Sequence, residues 1–152
     1  MKLVVQRVSR ANVAVAGAEI GAIGPGILIF VGVGKGDTAK DAAVLAEKVA
    51  NLRLFSDAEG KMNLSAKQQG FSALIISQFT LFADCSQGRR PYFGAAAAPE
   101  WAEHLYELFC QAVEQNGLPV QKGRFRSHME VGLVNDGPVT ILLDSRELMS
   151  GG

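Results

Sequence analysis

The chain has 152 residues, 48% of them hydrophobic and 20% charged, a size at which one domain buries roughly 70% of the surface its unfolded chain exposes. Fifteen acidic residues balance fifteen Lys plus Arg, so no whole-molecule field draws the protein onto nucleic acid or an anionic membrane, and any RNA contact has to be local. Cys85 and Cys110 form no C-x-x-C pair, and His104 and His128 lack the i, i+4 spacing of a helical metal site, so neither a disulfide framework nor a metal centre is expected.

In chain order, Leu3 to Val8, Val13 to Val15 and the apolar run Ile27 to Val33 read as antiparallel strands separated by turns at Gly17, Gly21, Gly24 and Gly26. The run is too short to span a bilayer, and Met1-Lys2-Leu3 leads straight into strand-like sequence. A cytoplasmic protein with no membrane partner is expected. Thr38 and Asp41 have capping-box spacing, and Leu45, Val49 and Leu52 share one helical face, so a first helix is predicted from Thr38 to about Leu52. Phe71 to Phe79 has the pattern of a buried strand, and the turn-rich segment Asp84 to Gly94 precedes a second helix. Pro99 opens that helix, Leu105, Leu108, Phe109, Ala112 and Val113 supply its apolar face, and Gly117 and Pro119 close it. Met129 to Val134 and Val139 to Leu143 are read as the arms of a hairpin around Asn135-Asp136-Gly137-Pro138. The tail Ser145 to Gly152 reads as a frayed end. The expected architecture is one α+β domain over residues 1–144, helices packed on antiparallel sheet.

Familiar chemical motifs mostly fail. Gly32-Val33-Gly34-Lys35-Gly36 lies between a strand and a helix, but a phosphate loop needs Ser or Thr after the lysine and a glycine where Ile29 stands. Asp37 occupies the place of the third glycine of a dinucleotide fingerprint. There is no G-x-S-x-G elbow and no Ser, His and Asp set spaced to suggest a triad. Two segments remain. Ser77-Gln78-Phe79-Thr80-Leu81 ends a buried strand, and Asn135-Asp136-Gly137-Pro138-Val139-Thr140 forms an unusual turn. Taken alone, either is a strand terminus or a turn.

Taken together, in this order and separation, the SQFTL and NxGPVT segments closely resemble the hallmarks of the D-aminoacyl-tRNA deacylase family. The resemblance runs from Gln6-Arg7-Val8 through Phe55-Ser56-Asp57 and Gly60-Lys61-Met62-Asn63-Leu64 to the final hairpin, leaving only the tail after about Asp144 uncovered. Arg126-Ser127-His128 and Tyr92 depart from the family pattern. The resemblance implies antiparallel sheets in a barrel-like core with two main helices against it, a homodimer, no cofactor, and hydrolysis of D-aminoacyl and glycyl esters at the 3′ end of tRNA. It also implies that a cis Gly137-Pro138 dipeptide, supported by Arg7, reaches from one subunit into the active site of the other.

Because an aminoacyl-tRNA ester is already activated, main-chain donors at a strand end can stabilise the oxyanion, each worth about 3 kcal/mol. Phe79 and Thr80 are the expected donors, with Ser77 and Gln78 orienting water or the terminal adenosine. The competing reading makes the Thr80 hydroxyl a nucleophile, which requires a base nearby. Arg89, Arg90, Lys122, Arg124 and Arg126 form the expected phosphate patch, with a solvated loop as the alternative. Two rival classes stand beside the enzyme: an RNA-end binding module, which needs no intact SQFTL and GPVT pair, and a purely structural dimer domain.

Overall fold

A computed structural model describes residues 1–151. The strands are β1 (Lys2–Val15), β2 (Ala18–Ile23), β3 (Gly26–Gly32), β4 (Phe55–Ser56), β5 (Met62–Leu64), β6 (Ser72–Ser77), β7 (Val120–Lys122) and β8 (Glu130–Asp144). The helices are α1 (Ala39–Asn51), α2 (Pro99–Gln115) and α3 (Ser145–Ser150), and Phe79–Phe82 forms a 3-10 turn directly after β6. The architecture is α+β. β1 carries β8 along one edge, and β3 followed by β2 along the other, all antiparallel.

Beyond β3 the sheet departs from the antiparallel expectation, because β6 is parallel to β3 and β7 is parallel to β6. The cause lies in the connections. α1 lies between β3 and β6, and α2 between β6 and β7, and a helical crossover returns the chain to the end from which it started. The free edges of β2 and β7 approach each other, so that a β-carbon on Gly21 would lie 3.1 Å from the Lys122 carbonyl oxygen. The sheet is therefore a nearly closed barrel. Val8, Val13, Ile23, Leu28, Leu74 and Ile76 fill its interior. The outward residues Ile27, Ile29, Val31 and Ile75 pack with Leu45 and Val49 of α1 and Leu105 and Phe109 of α2. Covered on both faces, β3 reads as an unbroken apolar run rather than an alternating one.

α1 begins as its sequence predicts, with the Asp41 carboxylate accepting from the Thr38 N–H at 2.8 Å and from its hydroxyl at 3.1 Å. The tail behaves differently from expectation. Ser145 is fully buried and opens α3, its hydroxyl donating to Asp41 at 2.6 Å while accepting from the Met1 ammonium at 2.8 Å. That ammonium is also paired with Asp37 at 2.8 Å. A short polar residue with two buried partners thus fixes a segment whose composition alone suggests fraying; Gly152 lies outside the described residues.

The expected hairpin at 129–143 is also replaced. Val131 stands opposite Val13 and Leu143 opposite Leu3, so both arms run in one direction along β1 as the single strand β8. Between Asn135, opposite Val8, and Thr140, opposite Gln6, Asp136, Gly137, Pro138 and Val139 face Arg7 alone and are extruded as a wide bulge. An Asp-Gly pair usually signals reversal. Here β1 offers one continuous partner, and continued pairing wins.

Candidate active site

The first three residues of the SQFTL segment form one wall of a cleft of about 590 Å³. The Gln78 N–H continues the sheet by donating to the Val31 carbonyl at 2.7 Å, and the Leu81 N–H closes the 3-10 turn on the Gln78 carbonyl at 3.3 Å. The first turn of a helix leaves its N–H groups without intrahelical acceptors. Phe79 and Thr80 occupy those positions, and neither N–H has an acceptor among the described residues. The transition from strand to helical turn thus leaves two adjacent main-chain donors. The Gln78 side-chain amide donates to Thr80 Oγ1 at 2.5 Å. Ser77, Gln78 and Phe79 line the cleft.

The opposite wall comes from Phe125 to Met129, with Tyr106 and Ala102 of α2 beneath. Burial pushes the Tyr106 phenol well above its ordinary range, and its hydroxyl donates to the Ile75 carbonyl at 2.7 Å. Next to it, burial pushes the Cys110 thiol up to about 12, which removes it as a nucleophile at neutral pH. Arg126 and His128 stand at the cleft, where the sequence reading assigned a site role only to Arg126.

The second motif is held from inside and outside. Asn135 Oδ1 accepts the Val139 N–H at 3.0 Å, and Thr140 Oγ1 accepts from Asn135 Nδ2 at 3.0 Å and from Gln6 Nε2 at 3.2 Å. Asn135 and Thr140 thereby close the base of the bulge, a role unassigned in the sequence reading although both residues belong to the motif. From outside, Arg7 Nε donates to the Asp136 carbonyl at 2.9 Å and Arg7 Nη1 to the Leu54 carbonyl at 2.6 Å. The Gly137–Pro138 peptide is cis and Gly137 has φ +135°, a region that excludes most side chains. Both residues are exposed at the tip.

Within one chain the two motifs do not meet. Ser77 is in register with Val31 at the end of β3, whereas the bulge lies opposite Arg7, which pairs with Ile27 near its start. Four residues of strand separate these positions by about 13 Å along the sheet.

Residues 4–144 match the family described as D-Tyr-tRNA(Tyr) deacylase. The chain belongs to that family. Deacylases are hydrolytic enzymes. The chain is 55% identical over 148 residues to the D-aminoacyl-tRNA deacylase of Desulforudis audaxviator, covering 97% of this chain and 99% of that protein. It is 52% identical over 150 residues to the corresponding protein of Geobacter sulfurreducens, covering 99% of each. A solved structure described as c-Myc DNA unwinding element binding protein superposes with a TM-score of 0.88 at 40% identity, covering 95% of this chain and 98% of that one. Another, described as a probable eukaryotic D-amino acid tRNA deacylase, gives 0.79 at 16% identity over 93% and 97%, which speaks to the fold alone.

On this deacylase chain the five basic residues singled out by sequence do not form one uniform patch. Lys122 is paired with Glu107 at 2.9 Å, and that partner raises its pKa. Arg126 lies 3.6 Å from Glu100. Arg89, Arg90 and Arg124 have no ion-pair partner among the described residues. No group of three or more candidate metal ligands is found among the described residues, and no helix described is long and apolar enough to cross a membrane.

Proposed function

We propose that this protein hydrolyses the ester of D-aminoacyl-tRNA, and of glycyl-tRNA, while sparing L-aminoacyl-tRNA, as a homodimer that proofreads chirality in translation. The observation that carries the reading is the pair of unengaged main-chain donors at Phe79 and Thr80 beside a cleft. Water attacks the ester carbonyl carbon, the carbonyl oxygen gains negative charge, and the two N–H groups stabilise it. The tetrahedral species then collapses to the free amino acid, and the ribose 3′-oxygen leaves with a proton. Ser77 and the Gln78 side chain orient the attacking water or the terminal adenosine.

Stereochemical selection falls to Gly137 and Pro138. A side-chain pocket cannot serve, because D-residues of all sizes must enter, so the discriminating contact belongs at the groups around Cα. The main-chain carbonyls of the exposed bulge receive the substrate ammonium and leave an L side chain facing a wall. Glycine meets no wall and is cleaved. Since one chain holds the two motifs at opposite ends of β3, the bulge serves the cleft of a second copy. The outer edge of β8 suits that assembly: among the described residues the strand is paired only on the β1 side, and it exposes Leu133, Val134 and Leu142, features that favour association.

Deacylation of matched D- and L-aminoacyl-tRNA tests the proposal. Release of the D-amino acid at least about 100-fold faster is expected, equivalent to about 2.7 kcal/mol of transition-state discrimination. Equal rates on the two esters would refute chiral selection. Tight binding of both without release would return the RNA-end binding module, and neither binding nor release the structural dimer domain.

A further inference from the structure

Tyr92 is 69% exposed, a high value for a large ring in an ordered loop. The loop is closed by paired main-chain hydrogen bonds, the Asp84 N–H to the Tyr92 carbonyl at 2.7 Å and the Tyr92 N–H to the Asp84 carbonyl at 2.9 Å. The Lys35 N–H binds the Ala95 carbonyl at 2.9 Å, anchoring the loop's far side. The tyrosine ring lies over Gly94. A β-carbon on Gly94 would collide with the Tyr92 hydroxyl, Cε1 and Cζ, so the ring fills the space that only a glycine leaves open.

The adjacent Phe93 packs edge-to-face on Phe79, with ring centroids 5.0 Å apart. The platform is therefore one residue removed from a direct contact with the segment that carries the oxyanion donors. On the same loop Arg89 and Arg90 are exposed and lack a carboxylate partner among the described residues. An exposed, pre-positioned aromatic beside two unpaired guanidinium groups is the combination that holds single-stranded nucleic acid, one surface stacking a base and the other attracting phosphates. A second protein copy suits it less well, because a two-fold contact centred on this loop brings like charges together.

We infer that Tyr92 stacks a base of the single-stranded 3′ end of the RNA, upstream of the terminal adenosine, while Arg89 and Arg90 contact its phosphates. The enzymatic part of the test rests on the deacylase reading; the binding part does not. Stacking is sequence-tolerant, so this contact raises affinity for the acceptor end without choosing among tRNAs.

The test pairs two measurements on the full-length protein. Fluorescence anisotropy with a labelled single-stranded RNA hexamer ending in CCA compares wild type, Tyr92→Ala, Tyr92→Phe and Tyr92→Trp. Tyr92→Ala is expected to weaken binding about tenfold, whereas Phe and Trp retain it within about twofold. Arg89→Gln and Arg90→Gln should each reduce the slope of log affinity against log salt by about 0.7. In parallel, Tyr92→Ala should raise KM for D-aminoacyl-tRNA while leaving kcat, and KM for D-aminoacyl-adenosine, unchanged. Unaltered RNA affinity in Tyr92→Ala overturns the inference. Equal loss in Tyr92→Phe, or an equal KM rise on the adenosine ester, overturns it too, since the effect is then not stacking on an upstream base. A wild type that binds the hexamer through Tyr92 but cleaves neither ester refutes the deacylase reading and leaves the platform standing.

Discussion

The Gln78 side-chain amide donates to the Thr80 hydroxyl oxygen at 2.5 Å. An amide N–H is a donor and no base, so this contact does not activate the hydroxyl for attack. Thr80→Ala is expected to retain activity within about tenfold, because the main-chain N–H survives the substitution. A fall to background with an unchanged circular dichroism spectrum would favour a threonyl nucleophile.

If the backbone supplies the catalytic donors, deleting a donor should matter more than deleting a side chain. Phe79 is the first residue of the 3-10 turn, a place that tolerates proline. Phe79→Pro removes one N–H, and a loss of about 100-fold in kcat is expected, against less than about tenfold for Phe79→Ala. Similar values for the two variants would remove Phe79 as an oxyanion donor.

Arg7 bridges two main-chain carbonyls, those of Leu54 and Asp136. Lysine offers a point charge in place of a planar fork, so Arg7→Lys should loosen the bulge nearly as much as Arg7→Ala. Each is expected to cost about 2 kcal/mol of stability and to lower the D-over-L rate ratio by about tenfold. Unchanged selectivity in a destabilised variant would make Arg7 purely structural.

Acid sensitivity should concentrate at Asp41. Burial acts to raise its pKa, but hydrogen bonds from Ser145 and Thr38 outweigh that and hold it below the ordinary 3.8. A carboxylate with a depressed folded pKa gives stability that is fully present above the unfolded value and is lost as pH falls through the folded one. Urea unfolding should therefore show the Asp41→Asn deficit at neutral pH shrinking below about pH 4. A deficit constant from neutral to acid pH would show that the lost stability does not come from ionisation.

Local chemistry was legible where a local cause decides the outcome. Thr38 and Asp41 mark the start of α1, Pro99 that of α2, and the unbroken run Ile27 to Val33 marks a strand covered on both faces. What was not legible depends on distant partners. Nothing near Asn135-Asp136-Gly137-Pro138 reveals that β1 pairs with both flanks, and nothing near Ser145 reveals Met1 and Asp41 waiting across the fold. The same limit applies at the site. Ser77 to Leu81 could be singled out as a motif, but its opposing wall at Phe125 to Met129 is more than forty residues away in sequence and became visible only in three dimensions.

Leu142 is 75% exposed on β8, a 15-residue strand paired, among the described residues, only with β1. A long apolar edge is a site of association unless it is charged or covered, and the bulge carrying Gly137 and Pro138 interrupts this same strand. Leu142→Lys places a charge on that surface without touching the buried core. It should convert a dimer to a monomer by sedimentation velocity while the far-ultraviolet spectrum stays unchanged. Deacylation should fall by about 100-fold, about 2.7 kcal/mol, because each cleft then lacks the dipeptide delivered by its neighbour. Wild type sedimenting as a monomer, or a monomeric Leu142→Lys with full activity and selectivity, would break the link between β8 and the active site. Selectivity would then have to come from residues of a single chain.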